Sequence, residues 1–195
     1  MIKERTIFIG ICFLFFLQLI ILAFQFPSEN AYQLGIRVTG LVGFASLFAS
    51  VIFSDFFIEI DECGKKKLLY HHLFSIIGII LITLHPILLA IDKADFSIFF
   101  PKFDSWVVFW ELAGRPSLIL IYIGFVSGVL IRLYKKSYKM VHVIVYIALF
   151  FGLVHGYLIG TDFHNPFVTI VFVLLFLISM YIFIDKRLYQ MNTLK

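Results

Sequence analysis

Histidine is the residue type with the clearest chemical potential in this sequence. Five of the six histidines lie inside or at the edge of two long apolar stretches, and the chain's other long apolar stretches contain none. Ionisable side chains at membrane depth are costly, and those that occur there usually have a function. Neutral imidazole is a good metal ligand, so this distribution indicates a metal centre or a proton path. The six are His71, His72, His85, His142, His155 and His164.

The spacing of four histidines predicts two sites at different depths. His71 and His85 are 14 residues apart, and His142 and His155 are 13 residues apart. At about 1.5 Å per helical residue, each pair spans roughly 20 Å, most of the hydrocarbon thickness. If both helices run outward, His71 and His142 share the inner depth and His85 and His155 the outer depth. Two facing histidines supply both axial ligands of a haem iron, so the pattern predicts two bis-histidine b haems.

Helix phase separates the neighbouring candidates His71 and His72. Fourteen residues rotate an ideal helix by about 1400°, which leaves His71 within roughly 40° of the His85 face and His72 about 140° away. We therefore expect His71 to be the ligand and His72 to lie at the interface or near a haem propionate. The 13-residue step from His142 to His155 has poorer phase, which a bent or locally unwound helix would absorb. The glycines Gly78, Gly152, Gly156 and Gly160 leave room for a macrocycle or for a neighbouring helix.

The elements that position these histidines are predicted to be membrane helices. The 195 residues are 62% hydrophobic and 14% charged, whereas soluble domains are about 45–50% apolar and about 25% charged. A spanning helix needs roughly 20 apolar residues. We predict one all-α integral membrane domain over residues 1–195, a bundle of six transmembrane helices with the haems between helices 3 and 5. The apolar runs are Thr6–Phe24, Gly35–Phe53, Leu68–Ile91, Ser117–Leu133, Met140–Ile159 and Pro166–Ile184.

The charged residues predict the orientation of the bundle. With a cytoplasmic N-terminus, the inner segments contain twelve of the sixteen Lys and Arg residues, and the outer segments contain four. This bias places both termini in the cytoplasm, most simply of a plasma (inner) membrane. The outer segment Ser97–Glu111 is rich in Trp and Phe, which is typical of an interfacial anchor; a lid over a substrate site is the alternative.

Haem propionates need basic or hydrogen-bonding partners, and both sides of the predicted membrane offer them. Arg115 is the strongest candidate on the outer side, because Gly114-Arg115-Pro116 begins a helix where few basic residues occur. His164 is a second outer candidate. Contact with lipid headgroups is the alternative role for all of these side chains. The inner candidates are Lys67, Lys135 and Lys139.

Three motifs resemble one known family. They are Leu84-His85-Pro86, Gly114-Arg115-Pro116-Ser117 and the stretch KKSYKMVH that ends at His142. With the paired histidines, they resemble the ferric reductase-like transmembrane domain superfamily over roughly Arg37 to Ile159. The superfamily includes ferric reductases, NADPH oxidases and the haem-containing membrane subunit of the bacterial methionine sulfoxide reductase system. The resemblance implies six helices, two b haems and electron flow from the cytoplasmic side outward.

The sequence departs from reductases and oxidases because it has no flavin or nicotinamide domain and no GxGxxG phosphate loop. Electrons are then expected from a separate flavoprotein reductase, a bound flavin such as FMN, or a membrane quinol. The acceptor on the outer side would be a ferric chelate, dioxygen or a redox partner protein. The chain's size matches the sulfoxide reductase membrane subunit better. That subunit often has a basic residue in place of the first histidine of helix 3, whereas His71 and His72 are both present here.

A transporter or channel is the alternative from another functional class, with histidines that bind a metal ion or relay protons. Carboxylates inside the spans would favour that reading, and the apolar runs contain none. Membrane lipid is an expected partner and nucleic acid is not. The matched depths of the histidine pairs favour electron transfer.

Overall fold

A computed structural model describes residues 2–25, 27–28, 30–56, 65–130 and 137–192 of this chain. These residues form helices joined by short loops, and no β-strand occurs among them. Two short 3₁₀ turns, Phe96–Phe99 and Thr161–His164, precede α4 and α8. The helices are α1 (Ile2–Gln25), α2 (Ala31–Phe56), α3 (Lys65–Lys93), α4 (Trp106–Glu111), α5 (Gly114–Leu130), α6 (Ser137–His142), α7 (Ile144–Ile159) and α8 (Pro166–Asn192).

Four segments are long and apolar enough to cross a membrane, which makes the chain an all-helical membrane protein. The other two predicted spans correspond to shorter apolar helices, the segment Cys12–Gln25 of α1 and all of α5. The 17 residues of α5 extend about 25 Å, somewhat less than a typical hydrocarbon core. The total of six spans therefore stays a prediction. The four long segments are Ala31–Ser54, Tyr70–Lys93, Met140–Ile159 and Pro166–Asp185.

Helix α2 lies at the centre of the bundle and packs along α3. The side chains of Phe44 and Phe48 are almost fully buried in the core. The two helices approach closely because glycines lie between them: a Cβ at Gly78 would be 2.7 Å from the Leu47 side chain. A Cβ at Gly43 would be 2.9 Å from the backbone of α3. Gly78 therefore serves helix packing, one of the two roles that its position allowed.

The glycines of α7 also contact neighbouring protein groups. A Cβ at Gly152 would lie 2.8 Å from the Phe44 ring, and one at Gly156 would lie 2.7 Å from the Phe163 ring. Helix α5 packs along α7, and α2 packs along α3. Within the described ranges, α3 and α7 make no extended contact with each other. Helix α3, which bears His71 and His85, therefore packs on α2, and α7, which bears His155, packs on α5.

The predicted fifth helix is interrupted immediately after His142. The Val143 N–H donates to the Met140 carbonyl (3.3 Å), and the Tyr146 N–H donates to the Val143 carbonyl (3.1 Å). Both bonds join residues three apart, as in a 3₁₀ helix, which has about 3.0 residues per turn instead of 3.6. This tighter winding rotates His142 relative to His155. The 13-residue step led us to expect a bent or locally unwound helix here, and the structure instead has a more tightly wound turn.

Candidate functional site

The inner pair, His71 and His142, is brought together by α3 and α6. Their ring centroids are 6.2 Å apart, and the ring planes are inclined at 78°. Two imidazoles that bind one metal from opposite sides, through bonds of about 2 Å, have centroids about 6 Å apart. The separation of the two rings therefore suits one metal ion between them.

Hydrogen bonds orient both inner rings. Nδ1 of His142 donates to the Gly124 carbonyl of α5 at 2.8 Å. Nδ1 of His71 lies 3.0 Å from the Ser50 carbonyl and 2.9 Å from the Ser50 hydroxyl. The Ser75 hydroxyl donates to the His71 carbonyl at 2.7 Å. Because a carbonyl only accepts, each Nδ1 has the proton, and Nε2 is then the ring nitrogen that could bind a metal.

The predicted outer ligands, His85 and His155, have the same Nδ1 orientation as the inner two. Nδ1 of His85 donates to the Ile36 carbonyl of α2 at 2.8 Å. Nδ1 of His155 donates to the carbonyl of Glu111, the last residue of α4, at 2.6 Å. All four predicted ligands thus have Nδ1 directed at a backbone carbonyl of another element, a pattern common among histidines that bind metals.

A glycine lies against three of the four rings. A Cβ at Gly40 would be 2.9 Å from Nδ1 of His85, and a Cβ at Gly114 would be 2.6 Å from Cδ2 of His155. A Cβ at Gly128 would be 3.3 Å from the His142 ring. These glycines let the rings sit against the backbone of α2 and α5. Sequence reasoning missed this role, because nothing in a single sequence connects a glycine with a histidine on another helix.

The remaining predicted residues occupy different surroundings. The His72 side chain is exposed, whereas that of His71 is half-buried. The two rings have centroids 5.4 Å apart, and their planes are inclined at 54°. His164 is also exposed. The side chains of Lys67 and Lys139, and the whole of Lys135, lie outside the described residues. In the described part of the chain, no three His, Cys, Asp or Glu side chains converge as a metal cluster.

Arg115 fixes the outer loop. Its Nη1 donates to the carbonyls of Ser97 (3.1 Å) and Phe100 (2.8 Å). Asp95 begins the same loop and accepts from the Ser97 N–H at 2.8 Å. These hydrogen bonds from Ser97 hold the pKa of the exposed Asp95 carboxyl below its ordinary value. Arg115 thus positions the segment that leads into α4, whose last carbonyl orients His155.

The aromatic side chains of this outer segment divide into two groups. Phe96, Phe100, Phe103 and Trp106 are each more than two-thirds exposed. In contrast, the Trp110 ring packs edge-on against Phe151 of α7, with centroids 5.4 Å apart. Exposed aromatic rings next to apolar helices are typical of the membrane interface. The arrangement favours the anchor over the lid.

An ion pair that the sequence did not predict joins α2 to the turn that follows α7. The Arg37 Nε is 3.0 Å and 3.2 Å from the two carboxylate oxygens of Asp162. The two side chains are 10% and 7% exposed. Arg37 directly follows Ile36, whose carbonyl accepts from His85, and Asp162 lies in the turn after α7. The pair therefore joins the two segments that position the outer histidines.

Comparison with known families identifies the family of this chain. A model of the ferric reductase-like transmembrane component matches residues 39–153, more than half of the chain. The chain belongs to the ferric reductase-like transmembrane family. This confirms the resemblance derived from the sequence motifs. The matched range includes three of the four paired histidines and ends two residues before His155.

Family membership suggests that this ferric reductase-like protein transfers electrons across the membrane. Neither a curated protein nor a solved structure matches the chain. Within the described ranges, the residues are compatible with a bis-histidine cofactor: the inner rings lie 6.2 Å apart, and each of the four Nδ1 atoms faces a backbone carbonyl.

Proposed function

We propose that this ferric reductase-like protein is a di-haem b-type cytochrome that moves electrons across the membrane. The donor is cytoplasmic or a quinol, and the acceptor lies on the outer side. The observation that supports this most strongly is the shared orientation of the four histidines, each with Nδ1 directed at a backbone carbonyl. Haem b would supply a one-electron redox centre at each of the two levels.

The histidines of each level would act together. His71 and His142 would hold the inner haem, and His85 and His155 the outer one. The Nδ1–H bonds fix the tautomer and ring orientation, and they make each Nε2 a stronger donor to iron. Two histidine ligands leave no coordination position for a substrate. The protein would therefore pass electrons on rather than transform a substrate at the iron.

The two levels would serve a donor and an acceptor on opposite sides. Because most Lys and Arg residues lie in the predicted inner segments, the His71–His142 level would face the cytoplasm. A separate flavoprotein reductase, bound FMN or a quinol would reduce it. The outer level would pass electrons to a ferric chelate, dioxygen or a periplasmic or extracellular redox protein, such as a methionine sulfoxide reductase. Arg115 and His72 are the residues that we assign to the haem edges.

A spectrum of the purified protein tests the proposal. Protein from haem-supplemented cells should give the reduced-minus-oxidised bands of a low-spin b haem, and pyridine haemochrome should give two haems per chain. The absence of these bands would refute the proposal and favour the histidine-based transporter. One haem per chain would favour a membrane subunit of the sulfoxide reductase type.

Variants test the assignment of the pairs. His85→Ala should remove the outer haem and leave about half of the total, and His71→Ala should remove the inner haem. The control is His164→Ala, since His164 is exposed and should leave the haem content unchanged. Loss of both haems, or of neither, in the two ligand variants would contradict the two-level arrangement.

A further inference from the structure

Helix α1 presents two amide side chains in an otherwise apolar groove. Gln18 and Gln25 are both exposed, and neither side chain has a hydrogen bond within the described part of the chain. Gln25 lies at the end of the helix, and Gln18 is seven residues, about 10 Å, deeper. The groove is lined by Leu14, Leu17, Gln18, Ile21, Leu22 and Gln25.

Of the two glutamines, Gln18 has the higher free-energy cost in the membrane. An amide transferred into an apolar medium without a hydrogen-bond partner is strongly disfavoured. Water and headgroups are within reach of Gln25 at the helix end, whereas Gln18 lies within the apolar run Thr6–Phe24. In a bilayer, such side chains form hydrogen bonds to polar groups of neighbouring helices. Gln18 therefore indicates contact with another membrane helix.

The spacing of the groove residues shows how that helix would pack. Leu14, Gln18, Ile21 and Gln25 are separated by four, three and four residues, the heptad pattern of two helices that cross at a small left-handed angle. The two glutamines are seven residues apart and occupy the same heptad position. A polar residue at that position commonly sets register and oligomeric state.

The other side of α1 is already occupied by the protein's own bundle. Leu19 and Ala23 are fully buried in the core with α2. The Phe16 ring stacks on Phe74 of α3, with centroids 5.7 Å apart. The groove face can therefore bind a further helix without displacing α1 from its own bundle.

We infer that this groove binds α1 of a second copy of the chain, so that the protein forms a parallel, two-fold symmetric dimer. Two copies in one membrane have the same orientation, and a two-fold axis along the membrane normal places each residue opposite its own copy. An amide both donates and accepts, so Gln18 can pair with Gln18 of the second copy. A different partner would need a polar group at this depth, which a second copy always provides.

Cysteine cross-linking in lipid bilayers tests the groove. In a chain with Cys12→Ala and Cys63→Ser, the positions to compare are Ile21, which lines the groove, and Phe24, which is also exposed but does not line it. Ile21→Cys should form a disulfide-linked dimer under mild oxidation, and Phe24→Cys should form far less. Equal cross-linking at both positions, or none at Ile21→Cys, would overturn the proposal.

The affinity of the dimer tests the role of Gln18. Interhelical hydrogen bonds in membranes contribute about 1–2 kcal/mol, so Gln18→Leu should raise the dissociation constant about tenfold in dilution measurements. The control Phe13→Leu, which alters an exposed residue outside the groove, should leave it unchanged. An unchanged constant for Gln18→Leu, or a monomeric chain whose α1 pairs only with another protein, would refute the proposal. The dimer does not depend on the proposed electron transfer, and a haem spectrum of the same samples distinguishes the two failures.

Discussion

Arg37 and Asp162 are 125 residues apart in the chain, yet their side chains form an ion pair at the outer end of the bundle. Arg37 belongs to α2, next to the carbonyl that orients His85, and Asp162 belongs to the turn that follows α7 and His155. Both side chains are about nine-tenths buried. The removal of one partner would leave a buried charge without its counterion.

Asp162→Asn and Arg37→Gln should each destabilise the protein by about 3 kcal/mol, because each leaves one buried charge uncompensated. If the proposed outer haem is present, the two variants should shift its midpoint potential in opposite directions. The Arg37 cation without the Asp162 carboxylate should raise the potential, and the Asp162 anion without the Arg37 guanidinium should lower it. Thermal unfolding and a redox titration would measure both effects.

The Lys93–Asp92 pair, whose lysine is 60% exposed, provides the control for this prediction. Asp92 keeps its hydrogen bond from Asn30 when Lys93 is replaced, so Lys93→Gln should destabilise the protein much less and leave both potentials unchanged. Shifts of the same sign in Asp162→Asn and Arg37→Gln would show that the pair acts only through the general stability of the fold.

Replacing the glycines beside the histidine rings by alanine should reduce the haem content to different extents. A methyl group at Gly40 or Gly114 would approach an outer histidine ring within 3 Å, so Gly40→Ala and Gly114→Ala should reduce the outer haem and retain the inner one. Gly128→Ala meets His142 at 3.3 Å and should have a smaller effect, on the inner haem. Haemochrome content and spectra would measure these changes. Gly10→Ala, where nothing lies within 4 Å, is the matched control.

Arg115 should affect the proposed outer haem site indirectly, because it holds the loop that leads to the Glu111 carbonyl. Arg115→Gln removes the charged donor to the Ser97 and Phe100 carbonyls, so amide hydrogen exchange in residues 96–112 should become faster. The outer haem content should fall, because this segment leads to the Glu111 carbonyl that orients His155. Lys102→Gln alters an exposed cation of the same loop and should change neither measurement. An unaltered exchange rate in Arg115→Gln would contradict the role of these hydrogen bonds.

The same loop should respond to acid through Asp95. Hydrogen bonds from Ser97 favour the ionised carboxyl and lower its pKa in the folded chain. A lowered folded pKa means that the stabilising contribution is complete above the unfolded pKa, about 3.9, and is lost as pH falls through the folded value. Protease nicking of residues 96–100 should therefore increase only below about pH 4. Asp95→Asn cannot titrate and should remove this pH dependence, and persistence of the dependence in that variant would assign it to another group.

Several features of this protein follow from local sequence. The long apolar runs predict helices, because a membrane offers no hydrogen bonds to an open backbone. The described residues of these runs are helical, apart from the interruption at Val143, and several of the helices extend beyond the runs. The spacing of His71, His85, His142 and His155 predicts two levels, and the 6.2 Å between the His71 and His142 rings agrees with that pairing. Periodicity along a helix is a local property, which a sequence displays directly.

The groups that surround each ring were decided only by the tertiary structure. His85 is directed by the Ile36 carbonyl and His155 by the Glu111 carbonyl, 49 and 44 residues away in the chain. A carbonyl is present in every residue, so no residue type marks the one that accepts. The sequence allowed Gly78 to face either a macrocycle or a neighbouring helix. The structure shows that it faces Leu47 of α2, where the two helices approach closely. Residue types and spacing therefore predicted the depths of the histidines, whereas helix packing determined which way each ring points and brought Arg37 and Asp162 together.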